Sequence, residues 1–203
     1  MNRKLKNICV YCGSAFGVRA EYREAAVAFG LLLAENNIRT IYGGGRVGLM
    51  GVLADAALGA GGEVVGVIPQ ALLDKEVGHG SVTQLHVVAD MHERKMTMAQ
   101  LADAFVALPG GWGTLEEWTE TLTWRQLGIH SKPIGLLNVA RCYDPLLRVA
   151  KMMIDEGFVR PEHSSLFEVD SDPVRLLQKL RNAPEAPQDT GALSASAGPP
   201  PAP

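Results

Sequence analysis

The stretch from Ala104 to Glu117 admits few folds. It reads Ala-Phe-Val-Ala-Leu-Pro-Gly-Gly-Trp-Gly-Thr-Leu-Glu-Glu. Phe105 to Leu108 suit a buried strand, Pro109 to Gly113 a glycine-rich turn, and a helix is expected to open at Thr114. A strand, a glycine loop and a helix N-terminus make an anion site, because loop N–H groups are free and the helix dipole favours negative charge there. The same helix carries Glu117 to this place. Two roles are open to it. Thr114-Leu115-Glu116-Glu117 fits a capping box, with Thr114 at the N-cap and Glu117 bonding back to it. Alternatively, Glu117 is a carboxylate that does chemistry beside a bound anion.

The rest of the chain repeats the strand-then-helix pattern. Ile8 to Tyr11 is expected as a first strand, ending at Cys12-Gly13-Ser14. Tyr22, Ala25, Ala26, Phe29, Leu32 and Leu33 then recur at helical spacing. Arg39 to Tyr42 is a second strand, followed at once by Gly43-Gly44-Gly45. Leu49 to Ala60 is a helix apolar almost all round, hence buried, and Glu63 to Ile68 is a third strand. Gly43, Gly45 and Gly48 satisfy G-x-G-x-x-G. The dinucleotide fingerprint wants an acid about 20 residues on, at a strand end; Glu63 has near that spacing but starts its strand. These glycines either approach a phosphate or permit a tight turn and close helix packing. Pro69 to Val82 is expected to be a loop that carries Glu76. Gln84 to Val88 is a fourth strand, and Asp90-Met91-His92-Glu93 a capping box that opens a helix to about Ala102. Arg94 and Lys95 lie within or beside its apolar stripe. They either snorkel past a core edge or line an anionic pocket.

The helix from Thr114 runs to about Leu127. Leu115, Trp118 and Leu122 fall on one face, Trp124 and Leu127 on a roughly opposite one. Its second partner is either another part of the monomer or a second subunit. A strand over Pro133 to Asn138, a helix over Tyr143 to Glu156, a short strand or turn over Leu166 to Val169 and a helix from Pro173 to Leu180 follow. Strands alternating with helices argue a parallel sheet covered on both faces, an α/β fold. One domain is expected over residues 1–182. Residues 183–203, rich in Ala, Pro, Ser and Gly, read as a disordered tail.

Several function classes drop out. A net charge of −3 leaves no footprint for nucleic acid. No apolar run reaches a membrane span or a signal-peptide core, so the cytoplasm is the expected location. Cys9 and Cys12 have redox-motif spacing, but three residues along a strand separate them by about 10 Å on opposite faces, beyond the roughly 7 Å that a disulfide spans. The five histidines show no metal-ligand spacing, and no metal or cofactor is expected.

Pro109 to Glu117 matches the motif PGGxGTxxE, and further blocks stand in order along the chain. They are Cys12-Gly13-Ser14, Gly43-Gly44-Gly45 with Gly48-Leu49-Met50-Gly51, Gly66-Val67-Ile68-Pro69, Asp90-Met91-His92 with Arg94-Lys95, and Thr123-Trp124 with Gln126-Leu127-Gly128. From about Ile8 to Val159 the chain resembles the LONELY GUY (LOG) family of cytokinin riboside 5'-monophosphate phosphoribohydrolases, some of which were first labelled lysine decarboxylases. The resemblance implies a Rossmann-like three-layer α/β/α fold with a mainly parallel sheet. It also implies a homodimer whose active sites form at the interface.

The implied activity is hydrolysis of the N-glycosidic bond of N6-modified adenosine 5'-monophosphates. Arg94 and Glu117 correspond to the family's catalytic pair. Glu76, Lys95, the segment Gly111, Trp112, Gly113, Thr114, Leu115, Glu116 and Glu117, and Thr123 correspond to its nucleotide-binding positions. The glycine turns at Gly13, Ser14, Gly43, Gly44, Gly45 and Gly110 are expected to help hold the 5'-phosphate. Glu117 is expected to be ionised, favoured by the helix N-terminus and by Arg94. Trp112 takes the variable position of the motif, and His79-Gly80 stands where plant members are more acidic. Three alternatives share the fold or its labels: an AMP nucleosidase, a nucleotide sensor without turnover, and a decarboxylase. The last needs a pyridoxal Schiff-base lysine, and Lys95 is the only lysine in the proposed site.

Overall fold

A computed structural model of the chain describes residues 3–76 and 78–184. Its strands are β1 (Asn7–Tyr11), β2 (Arg39–Tyr42), β3 (Val64–Pro69), β4 (Gln84–Val88), β5 (Ala104–Ala107), β6 (Ile134–Leu137) and β7 (Glu168–Asp170). They form one seven-stranded sheet in the order β4-β3-β2-β1-β5-β6-β7. Every neighbouring pair is parallel. β3, β5 and β6 are buried along their whole length. That explains their unbroken apolar runs, because a parallel sheet is covered on both faces.

The helices are α1 (Ala20–Glu35), α2 (Gly48–Gly59), α3 (Gln70–Glu76), α4 (Met91–Leu101), α5 (Trp112–Gln126), α6 (Asp144–Asp155) and α7 (Pro173–Asn182). One core packs Phe29 and Leu33 of α1, Leu53 of α2 and Leu176 and Leu180 of α7 against Ile8, Val10, Tyr42 and Val106. The other packs Met98 of α4 and Trp118 of α5 against Cys9, Ile41, Val65, Phe105 and Ile134. The result is the expected three-layer α/β/α Rossmann-like sandwich. Cys9 and Cys12 fall in opposite cores and are free thiols.

The chain winds outward from β1 to β4, and α4 then returns it to β5, on the other side of β1. The loops after β1 and β5 therefore diverge at the point where strand order reverses, where open α/β sheets bind ligands. Backbone bonds stitch these loops together. Gly13 N–H donates to the Pro109 carbonyl and Leu49 N–H to the Gly13 carbonyl, both at 3.0 Å. Gly48, at φ +59°, must be glycine: a Cβ there would sit 2.2 Å from the Ser14 carbonyl carbon.

Three local expectations need correction. Residues 70–76 are not loop but the short helix α3; Gln70-Ala71-Leu72-Leu73 are adequate helix formers with no breaker after Pro69. The helix of the central stretch opens two residues early, at Trp112, with Gly111 as its N-cap and no side-chain cap. The Thr114–Glu117 capping box does not form, because both residues already lie inside the helix. The Asp90 box does form, slightly altered. Asp90 accepts from His92 N–H and Glu93 N–H, and Glu93 bonds back to the N–H of Ala89 rather than Asp90.

The expected tail lies, from residue 185 on, outside the described residues. Its first two members are held. Ala183 is buried, and Arg125 donates to the Pro184 carbonyl at 3.0 Å.

Candidate active site

The missing cap leaves the first N–H groups of α5 without a side-chain partner. They open onto a cavity of about 250 Å³ at the sheet's switch point. Gly13, Ser14, Arg94, Gly111, Trp112, Gly113, Thr114, Glu116 and Glu117 line it, together with Cys12, Met50 and Met91. Gly110 shapes the loop more than it lines the cavity. A Cβ there would stand 2.1 Å from Thr114 Oγ1 and 2.9 Å from Gly13 N.

Arg94 is held rigidly. Its Nε donates to the Val67 carbonyl and its Nη2 to the Gly43 carbonyl, both at 3.1 Å. Its Nη1 lies 3.7 Å from Met91 Sδ and 3.8 Å from Glu117 Oε1. Gly43 is glycine for this reason, since a Cβ would come within 2.0 Å of Arg94 Nη2. The triple glycine thus serves Arg94 and loop packing. Gly44, at φ +76°, accepts from His79 N–H at 3.0 Å, and Gly45 forms a bridge with Gly78. Glu63 accepts from Arg39 Nε at 2.7 Å, far from any ribose role at a strand end.

The Arg94 and Glu117 side chains are each 11% exposed. Burial pushes the Glu117 carboxyl up from 4.5 to about 7. Arg94 opposes that shift most strongly; Lys95 also opposes it, while Glu116 and Glu120 add to it. Glu117 is thus poised between its charged and neutral forms near pH 7, not firmly ionised as the sequence suggested. Burial, with Glu117 nearby, also holds the Cys9 and Cys12 thiols and the Tyr11 phenol well above their usual ranges.

Lys95, Leu115 and Thr123 stand apart from the cavity. Lys95 donates to Glu116 Oε1 at 2.6 Å and Glu120 Oε1 at 3.0 Å. Leu115 packs into the second core. Thr123 lies exposed further along α5, its hydroxyl bonded to the Thr119 carbonyl at 2.8 Å. Glu76 closes α3. Met50, Met91 and Cys12 went unselected, since nothing in the sequence separates a methionine lining a cavity from one filling a core.

A pyridoxal cofactor does not fit. No lysine lines the cavity. Burial works against the charge on Lys95, but its bonds to Glu116 and Glu120 outweigh that and hold its ammonium above the usual range, unlike the neutral amine a Schiff base requires. Among the described residues no cluster of His, Cys, Asp and Glu is fit to hold a metal ion.

Comparison with known proteins follows the same lines. A family model described as "Possible lysine decarboxylase" matches residues 50–180. Cytokinin riboside 5'-monophosphate phosphoribohydrolase LOG of Oryza sativa subsp. japonica is 53% identical over 156 residues, covering 77% of this chain and 64% of that protein. The Arabidopsis thaliana protein of the same activity, LOG1, is 45% identical over 179 residues, covering 88% of this chain and 84% of its own. Among solved structures, a molybdenum cofactor binding protein from Rippkaea orientalis superposes with a TM-score of 0.66 at 20% identity, covering 88% of this chain and 97% of its own. At that identity the likeness concerns the fold alone.

Proposed function

The chain belongs to the LONELY GUY (LOG) family, and on that premise we propose that it hydrolyses the N-glycosidic bond of N6-modified adenosine 5'-monophosphates, releasing the free base and ribose 5-phosphate. The observation that carries this function is the buried Arg94–Glu117 pair, 3.8 Å apart, beside an uncapped helix N-terminus.

The 5'-phosphate rests on the first turn of α5 and the Ser14 and Thr114 hydroxyls, where free N–H groups and the helix dipole attract an anion. Glycosidic cleavage develops an oxocarbenium-like cation at C1'. An ionised Glu117 stabilises that charge or takes a proton from the attacking water. A carboxyl that titrates at about 7 suits the second role, because a general base works best with a pKa near the working pH. Arg94 faces the carboxylate at 3.8 Å and favours its charged form. The purine leaves with a proton, so the step balances without a metal.

Homodimerisation fits the surface. Met96 of α4, Leu127 and Ile129 at the end of α5, and Val149, Met152 and Met153 of α6 are exposed on one helix layer. Apolar side chains gathered on one face favour association. Thr123 lies exposed on that layer, so a second copy would meet it. Among the described residues no helix is long and apolar enough to cross a membrane; a reducing cytoplasm suits the three free cysteines.

The test incubates purified protein with isopentenyladenosine monophosphate and, separately, AMP, and follows free base by chromatography. Release from the isopentenyl nucleotide with the higher kcat/KM supports the assignment. Preference for AMP would make the protein an AMP nucleosidase, and tight binding without release a sensor.

A further inference from the structure

Glu117 has a neighbour on each side along α5, Glu116 and Glu120, and both close on the residue that follows Arg94. Lys95 Nζ meets Glu116 Oε1 at 2.6 Å and Glu120 Oε1 at 3.0 Å. The reacting pair and this outer cluster therefore form two layers between the same two helices. Arg94 and Glu117 form the inner layer; Lys95, Glu116 and Glu120 form the outer one. The inner layer cannot fix its own spacing. Arg94 is fastened to β3 and the β2 loop through the Val67 and Gly43 carbonyls. The Glu117 carboxylate is 3.8 Å away, beyond hydrogen-bond length. Its place is set by where α5 stands.

We propose that Glu120 is a positioning residue of this site: with Glu116 it anchors Lys95 across the gap between α4 and α5, and the anchor holds the Glu117 carboxylate opposite the Arg94 guanidinium. The proposal rests on the hydrolase assignment above for its effect on turnover, not for its geometry. Stability is a poor explanation of the cluster. The Glu116 side chain is 55% exposed, and an ion pair so open at one end adds little to global stability; the Glu120 side chain, 28% exposed, makes the more enclosed contact. Lys95 is different: only 12% of its side chain is exposed, and a lysine so enclosed is held in one place. Two acceptors one turn apart on α5 fix both the distance and the rotation of that helix, which one acceptor would not. The groups facing Glu117 are then Arg94 and Lys95 from α4, Glu116 and Glu120 from its own helix, Cys9 and Tyr11 from β1, and Cys12 just after it. Only the α4 pair is cationic.

The test compares wild type with Glu120→Leu and Glu120→Asp. For Glu120→Leu, kcat falls about ten- to hundredfold, the range expected for a small misplacement of reacting groups, while KM stays within about twofold and the melting temperature hardly moves. Glu120→Asp, which keeps the charge on a shorter arm, recovers part of the loss. Combined with Glu117→Gln, Glu120→Leu has no further effect, because it acts through Glu117. A readout without turnover runs alongside. The Arg94 Nη1 protons, which face the Glu117 carboxylate in a largely buried site, exchange slowly with water in 15N NMR, and Glu120→Leu speeds that exchange at least about tenfold, since the carboxylate no longer covers them. An unchanged kcat and unchanged exchange would overturn the proposal. So would tighter AMP binding at unchanged kcat, which would make Lys95 a phosphate ligand that Glu120 merely restrains. Faster exchange in a protein whose wild type releases no base would leave the anchor standing and sink the hydrolase assignment instead.

Discussion

Replacing Glu117 by glutamine should make the protein more stable while stopping its chemistry, and the gain should depend on pH in a defined way. The carboxyl titrates at about 7 in the folded chain against 4.5 when unperturbed. Between those values the folded chain binds more protons than the unfolded one, so stability falls as pH rises through that window. At about 1.36 kcal/mol per pH unit of difference, the ionised carboxylate destabilises the fold by up to about 3 kcal/mol above pH 7. Glutamine has the same shape and no charge to desolvate, and Arg94 keeps its two carbonyl partners. Wild type and Glu117→Gln should therefore melt together near pH 4.5. They should diverge through pH 7, the variant ending roughly 6–12 °C higher by pH 8 in a chain of this size. Calorimetry at pH 5, 6, 7 and 8 reads this directly. A difference that does not change with pH, or a variant less stable than wild type at pH 8, would refute the claim that a buried, desolvated carboxylate sits at this position.

Other outcomes follow from the same geometry. In the free enzyme, kcat/KM for the isopentenyl nucleotide should rise with pH through about 7 as Glu117 ionises; a profile that falls over that range would assign Glu117 the acid's part. Gly43→Ala puts a Cβ 2.0 Å from Arg94 Nη2 and should lower kcat about a hundredfold with a folded protein by circular dichroism; full activity would mean that Arg94 tolerates displacement. Leu127→Asp combined with Ile129→Asp, at side chains 64% and 65% exposed, should yield monomers by light scattering, and an unaltered mass would move the interface elsewhere.

Much of the fold was legible because its signals are local. Apolar runs of four to six residues punctuated by glycine give parallel strands, and their alternation with helices gives the covered sheet. The misreadings also have physical causes. Thr114-Leu115-Glu116-Glu117 has the residues of a capping box, but Gly111 reaches the N-cap geometry first, and a three-residue shift of the cap turns a capping glutamate into one that faces Arg94. The charge state of Glu117 depends on burial and on Arg94 and Lys95 of another helix, which no local pattern records. From the sequence alone, Lys95 is legible only as a basic neighbour of Arg94. Its bond to Glu120 becomes visible only when α4 and α5 are side by side. Arg94 itself was ambiguous between a snorkelling side chain and a pocket residue, and its burial against the Val67 and Gly43 carbonyls decides for the pocket.

The most direct test of the central claim is base release from isopentenyladenosine monophosphate by wild type and by Glu117→Gln, each with its nucleotide affinity measured by calorimetry. Release by wild type, with turnover lost in the variant and binding retained, is the outcome the Arg94–Glu117 site requires. Release at equal rates from both proteins would contradict it and place the chemistry on another residue.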